Sequence, residues 1–127
     1  ISSWKGYLST KSDVYSFGVV LVELLTGRKA LDWSRPKNEQ ILVEWAKPYL
    51  AHKRKIFQVL DTRLLGKYSS SQAKAEADLA LKCLSRDSKL RPTMDEVVTT
   101  LEELPGMVEG ALKHKEGEFR LWKCWAV

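Results

Sequence analysis

From residue 12 to residue 26 the chain is apolar on almost every side. Between Val14 and Leu25 nine of twelve positions are apolar, and only Ser16, Gly18 and Glu23 interrupt the run. Four β-branched valines (Val14, Val19, Val20, Val22) suit a strand as well as a helix. Ser12 as N-cap, Asp13 in the first turn and Gly27 as the stop predict a helix over 12–26. Fifteen helical residues span about 22 Å, short of a membrane crossing. A helix apolar all round has to be enclosed by protein, so this one is predicted to form the core.

The pattern then turns polar and basic through Asn38. A short helix is expected over 39–47, with Ile41, Leu42, Trp45 and Ala46 on one side, ended or kinked by Pro48. A further turn or two over 54–60 presents Ile56, Val59 and Leu60, and a loop is expected over 66–71. Two clearer helices follow. Ser69 with Gln72 fits a capping box ahead of Ala73, Ala77, Ala80, Leu81 and Leu84 at helical spacing. Thr93 with Glu96 fits a second box ahead of Met94, Val97, Val98, Leu101 and Leu104, with Pro105-Gly106 as the stop. No strand and no internal repeat is predicted. The fold class read from this pattern is all-α.

Composition narrows the class. The chain has 127 residues, 44% hydrophobic and 29% charged, which fits one globular domain and excludes low-complexity and collagen-like chains. It starts Ile1-Ser2-Ser3-Trp4-Lys5, without an initiator Met or a signal-peptide pattern, so a piece of a longer protein is expected. Cys83 and Cys124 share no metal-ligand spacing and, with His52 and His114, make a poor zinc set. Reduced thiols in a cytoplasmic protein are the expectation.

Charge is unevenly placed. The net charge is +5, and residues 28–55 alone carry eight basic groups against Asp32, Glu39 and Glu44. Such a patch suits phosphates or anionic lipid. Without aromatic interleaving or a nucleic-acid fold signature it reads as a solvated face, so no nucleic acid and no membrane insertion are expected.

Six separated blocks carry a specific resemblance. They are Ser12-Asp13-Val14-Tyr15-Ser16-Phe17-Gly18-Val19-Val20, Glu23-Leu24-Leu25-Thr26-Gly27, the run LVEWAKPYL from Leu42 to Leu50, Asp61-Thr62-Arg63-Leu64, Ala80-Leu81-Lys82-Cys83-Leu84, and Arg91-Pro92-Thr93-Met94. In this order and spacing residues 6–104 resemble the late C-lobe of a protein kinase, closest to the plant receptor-like cytoplasmic serine/threonine kinases. Residues 1–5 and 105–127 do not follow that pattern, and read as a leader and a divergent tail.

The resemblance implies that helix 12–26 is the buried central helix of the C-lobe and that the later helices close the domain. It also implies two structural roles. Asp13 would accept hydrogen bonds from the catalytic-loop backbone, and Arg91 would pair with the Glu of an Ala-Pro-Glu motif. Family members use ATP and Mg2+, and many sit peripherally at the plasma membrane.

Phosphoryl transfer needs a Gly-rich loop, a strand Lys, a catalytic-loop Asp and Asn, and an Asp-Phe-Gly aspartate. The sequence has no Gly-x-Gly, His-Arg-Asp, Asp-Phe-Gly or Ala-Pro-Glu. Asp13 and Glu23 would lie about 15 Å apart along one helix, too far to act together. The expectation is therefore a truncated, inactive kinase domain with no catalytic, cofactor or metal residues and no bound cofactor. The alternative is a binding module whose basic 28–55 surface, with Trp45, Lys53, Arg54 and Lys55, docks kinase substrates or regulators. Uncovered apolar surface around Phe17, Val20 and Leu24 would favour self-association.

Overall fold

The computed structural model describes residues 10–67 and 69–104. Among the described residues four α-helices carry the architecture: α1 (Lys11–Thr26), α2 (Leu42–Leu50), α3 (Ser70–Cys83) and α4 (Met94–Glu102). Short 3-10 turns join them at Lys37–Glu39, Lys55–Gln58, Thr62–Leu64 and Ser88–Leu90. Among the described residues the sole β pairing is an isolated antiparallel bridge between Leu31 and Ile41. The protein is all-α, as its sequence pattern predicts.

Helix α1 starts two residues earlier than the Ser12 cap would place it. Thr10 is the N-cap, with extended φ and ψ of −71° and 149°, and its hydroxyl accepts from the Asp13 amide at 3.2 Å. Ser12 is already helical, because a hydroxyl three residues ahead of Asp13 captures the free N–H that Ser12 cannot reach. At the other end Gly27 adopts φ 71°, and its N–H returns to the Glu23 carbonyl at 2.8 Å. That left-handed stop strains any side chain, and a Cβ there would also strike the Asp61 carboxylate.

The core follows from α1. Val14, Leu21, Val22 and Leu25 are no more than 1% exposed and join one cluster with Leu42, Ala46 and Leu50 of α2 and Ala73, Ala77, Ala80 and Cys83 of α3. Gly18 permits the close crossing of α1 and α3: a Cβ there would stand 2.8 Å from the Cys83 Cβ and 3.0 Å from the Leu84 Cγ. Ile56, Val59 and Leu60, presented by the turn after α2, complete the cluster.

Helix α2 departs from the 39–47 expectation at both ends. Ile41 is extended (φ −100°, ψ 104°) because it pairs with Leu31, so helix cannot begin before Leu42. Pro48 does not end the helix, and α2 continues to Leu50. Pro48 and Glu44, one turn before it, are both exposed, so water can satisfy the carbonyl that the missing N–H leaves free. The buried face is Leu42, Val43, Ala46 and Leu50, while Ile41 is 43% exposed and Trp45 only half-buried.

Helix α3 carries both halves of the Ser69/Gln72 capping box. In α4 the Thr93 hydroxyl accepts from the Glu96 amide at 3.2 Å. Its apolar stripe is narrower than its spacing predicts: Val97 is fully buried, Met94 and Leu101 pack at the edge, and Val98 is 46% exposed. The Pro105-Gly106 stop, the 1–5 leader and the 105–127 tail lie outside the described residues. Among the described residues no helix is long and apolar enough to cross a membrane.

Candidate functional site

Of the two residues given structural roles by the resemblance, Asp13 lies in the first turn of α1 and Arg91 reaches the same end of the helix through the Lys11 carbonyl, with no described contact between them. Asp13 sits in the first turn, where its carboxylate accepts from the Thr10 hydroxyl at 2.7 Å. A negative group there also opposes the helix dipole favourably. Arg91 follows the Ser88–Leu90 turn and fans out over three carbonyls. Nε donates to Ser85 at 2.7 Å, Nη1 to Lys11 at 3.1 Å and Nη2 to Arg86 at 3.4 Å. Its guanidinium carbon lies 4.9 Å from the Tyr15 ring centroid. The Lys11 ammonium donates in return to the Arg91 carbonyl. The planar fork of an arginine can serve divergent acceptors in this way, which a lysine cannot. This reciprocal clip ties the α3–α4 connection to the first turn of α1.

Trp45 and the run Lys53, Arg54 and Lys55 occupy different ground. The Arg28 guanidinium lies 3.8 Å from the Trp45 ring centroid and pairs with Glu39 at 3.1 Å. Tyr49 approaches the same indole at 5.4 Å, tilted by 42°. One face of Trp45 is therefore already covered by the chain's own arginine. Lys53, Arg54 and Lys55 are exposed beyond the C-terminus of α2, where the Arg54 and Lys55 amides donate to His52 Nδ1 at 3.2 and 3.3 Å.

Lys53 also borders an open cleft of about 510 Å³ at the N-terminus of α3, with Ser69, Ser70, Ser71, Lys74 and Asp78. Most of its polar groups already have structural work. Ser69 caps the helix, and Lys74 donates to the Leu50 carbonyl at 3.1 Å while pairing with Asp78 at 3.0 Å.

Glu76 was not legible as a special residue. It lies on the buried face of α3 at 1% exposure, and its Oε2 has no hydrogen-bond partner. Burial alone pushes its carboxyl up to about 7. Helical spacing held the signal, since Glu76 falls between Ala73 and Ala80 on the stripe that packs inward. Burial likewise pushes the Cys83 thiol up to about 11, which leaves it a poor nucleophile. Among the described residues no three His, Cys, Asp or Glu side chains stand together as a metal-binding group.

Comparison with known proteins places this geometry in context. The model of the protein kinase domain family matches residues 1–101. Receptor-like cytoplasmic kinase 176 of Oryza sativa subsp. japonica is 60% identical over 99 residues, covering 78% of this chain and 25% of that protein. The probable serine/threonine-protein kinase PBL9 of Arabidopsis thaliana is 59% identical over 102 residues, covering 80% and 25%. A second Arabidopsis thaliana protein, the probable serine/threonine-protein kinase PBL2, is 53% identical over 113 residues, covering 89% and 26%. The chain spans about a quarter of the length of these curated relatives.

Proposed function

The chain belongs to the protein kinase domain family, and from that premise we propose that it is the helical C-terminal part of a serine/threonine kinase domain of the receptor-like cytoplasmic type. The whole protein would transfer the γ-phosphoryl group of ATP, with Mg2+, to serine or threonine hydroxyls of signalling proteins in the cytoplasm. The observation that carries this reading is α1. An almost wholly apolar helix with Val14, Leu21, Val22 and Leu25 shut away from solvent is a central post around which α2 and α3 pack.

The residues of this chain do not fit the nucleotide or its magnesium. No phosphate-cradling glycine loop and no Asp-Phe-Gly aspartate occurs in the sequence. The described carboxylates do not cluster into a metal-binding group. The role proposed for the chain by itself is therefore non-catalytic: a scaffold whose basic 28–55 surface docks substrates or regulators. Phe17, Val20 and Leu24, half-buried along one side of α1, are the proposed route of self-association.

Incubation of the purified chain with γ-labelled ATP, Mg2+ and a serine/threonine peptide tests the non-catalytic role. Label transfer no higher than with heat-unfolded chain is expected, and transfer above that background overturns it.

A further inference from the structure

The segment between α1 and α2 holds the most exposed apolar side chains close to this basic surface. Trp33 is 71% exposed, Leu31 55% and Ile41 43%. The backbone holds them in register. The Asp32 amide donates to the Gln40 carbonyl and the Leu42 amide to the Ala30 carbonyl, both at 3.0 Å. Those two bonds bracket Leu31 and Ile41 as a non-hydrogen-bonded antiparallel pair, the arrangement that brings opposed side chains closest on one face. The backbone carbonyl of Trp33, two residues beyond Leu31, accepts a long bond from Gln40 Nε2 at 3.5 Å. The same Gln40 amide donates to the Arg35 carbonyl at 3.1 Å, and the Ser34 amide donates to Asp32 at 3.1 Å. The backbone beneath these side chains is thus held by hydrogen bonds, which lowers the entropic cost of docking.

Its charge is selective. Within 28–41 both acids are engaged internally, Glu39 with Arg28 at 3.1 Å and Asp32 with Arg35 at 3.3 Å. Lys29 and Lys37 are exposed and outside any described ion pair, and Lys29 also acts on the Asp32 carboxylate; with four basic groups against two acids, the segment keeps a net charge of +2. Exposed bulky apolar groups on a segment with excess positive charge suit an acidic partner that supplies an apolar anchor.

We propose that the Leu31–Trp33–Ile41 hairpin is a docking face for a partner protein's acidic peptide segment bearing a bulky apolar side chain, with Lys29 and Lys37 meeting its carboxylates. The proposal rests on the docking role given above to the basic segment. It moves the contact away from Trp45, whose ring Arg28 already covers, and from Lys53, Arg54 and Lys55 beyond the end of α2.

The test is a random-peptide phage selection against the full chain, followed by anisotropy titration of the winning synthetic peptide. Enrichment of acidic sequences with an aromatic or branched apolar residue is expected. Trp33→Ala and the double variant Lys29→Glu, Lys37→Glu should each weaken the winner by about tenfold or more. Far-ultraviolet dichroism must show both variants helical, and Leu31→Ser serves as an independent third variant. Acidic winners that bind Trp33→Ala undiminished but fail on the triple variant Lys53→Glu, Arg54→Glu, Lys55→Glu overturn this face while leaving the docking role standing. No acidic enrichment overturns both. A dimer in sedimentation that Trp33→Ala dissolves would make a second copy of this chain the occupant and also overturn the proposal.

Discussion

Glu76 offers a quantitative test of how α3 is buried. Glu76 is 1% exposed, the other buried residues of α3 are Ala73, Ala77, Leu79, Ala80 and Cys83, and among the described residues its Oε2 has no hydrogen-bond partner. Desolvation raises its pKa, and among the described residues no cation or amide pairs with Oε2 to offset the loss of water. The folded carboxyl keeps its proton up to about 7, against 4.5 for the ordinary group. Between those values the folded state binds more protons than the unfolded chain, so the slope is negative and stability falls as pH rises. This stability is fully present below the unfolded value and is lost through the folded one. The full loss is on the order of 3 kcal/mol, from about 1.4 kcal/mol per unit.

Urea unfolding followed by far-ultraviolet dichroism at pH about 5 and about 7.5 covers most of that window, a loss of about 2 kcal/mol. With a urea slope of about 1–3 kcal/mol per molar, the midpoint drops by about 1 M. Glu76→Gln keeps the shape and abolishes the titration. It should remove that drop, while contributions of other groups are common to both proteins and cancel in the difference. Equal pH slopes in the two proteins would refute the reasoning, since they would mean that the carboxylate is solvated or paired.

Two further substitutions probe the packing around α1. Gly18→Ala places a Cβ against the Cys83 Cβ, an atom fixed to its backbone. Overpacking should outweigh the helix-propensity gain for a net loss of about 1 kcal/mol, and Gly18→Val should lose more; a higher urea midpoint for Gly18→Ala would mean α1 and α3 do not cross there. Arg91→Lys keeps the charge but cannot serve the Ser85, Lys11 and Arg86 carbonyls together. A loss of about 1–2 kcal/mol is expected, with faster amide exchange at the start of α1, and an unchanged midpoint would dismiss the clip.

Local chemistry was legible where it is self-contained. The Ser69/Gln72 box and the Gly27 stop each lie within a few residues, and each appears in the fold as its spacing predicts. The six kinase-like blocks were equally readable, and the family match covers them. Non-local contacts were not. Ile41 leaves the helix because it pairs with Leu31 across a loop, and Arg28 covers Trp45 from a different segment. That the helix passes through Pro48 depends on its turn facing solvent, which composition cannot tell. Arg91 finds carbonyls on two elements that only folding brings together. Glu76 was hidden by its charge, which marked it as exposed although its register placed it inside.

The proposed non-catalytic role requires that this kinase-family helical scaffold binds no nucleotide by itself. Isothermal titration of the full chain with a non-hydrolysable ATP analogue and Mg2+, beside a far-ultraviolet dichroism spectrum of the same sample, tests it most directly. A helical spectrum with no saturable heat is the predicted result. Saturable, magnesium-dependent binding by the folded chain would contradict it.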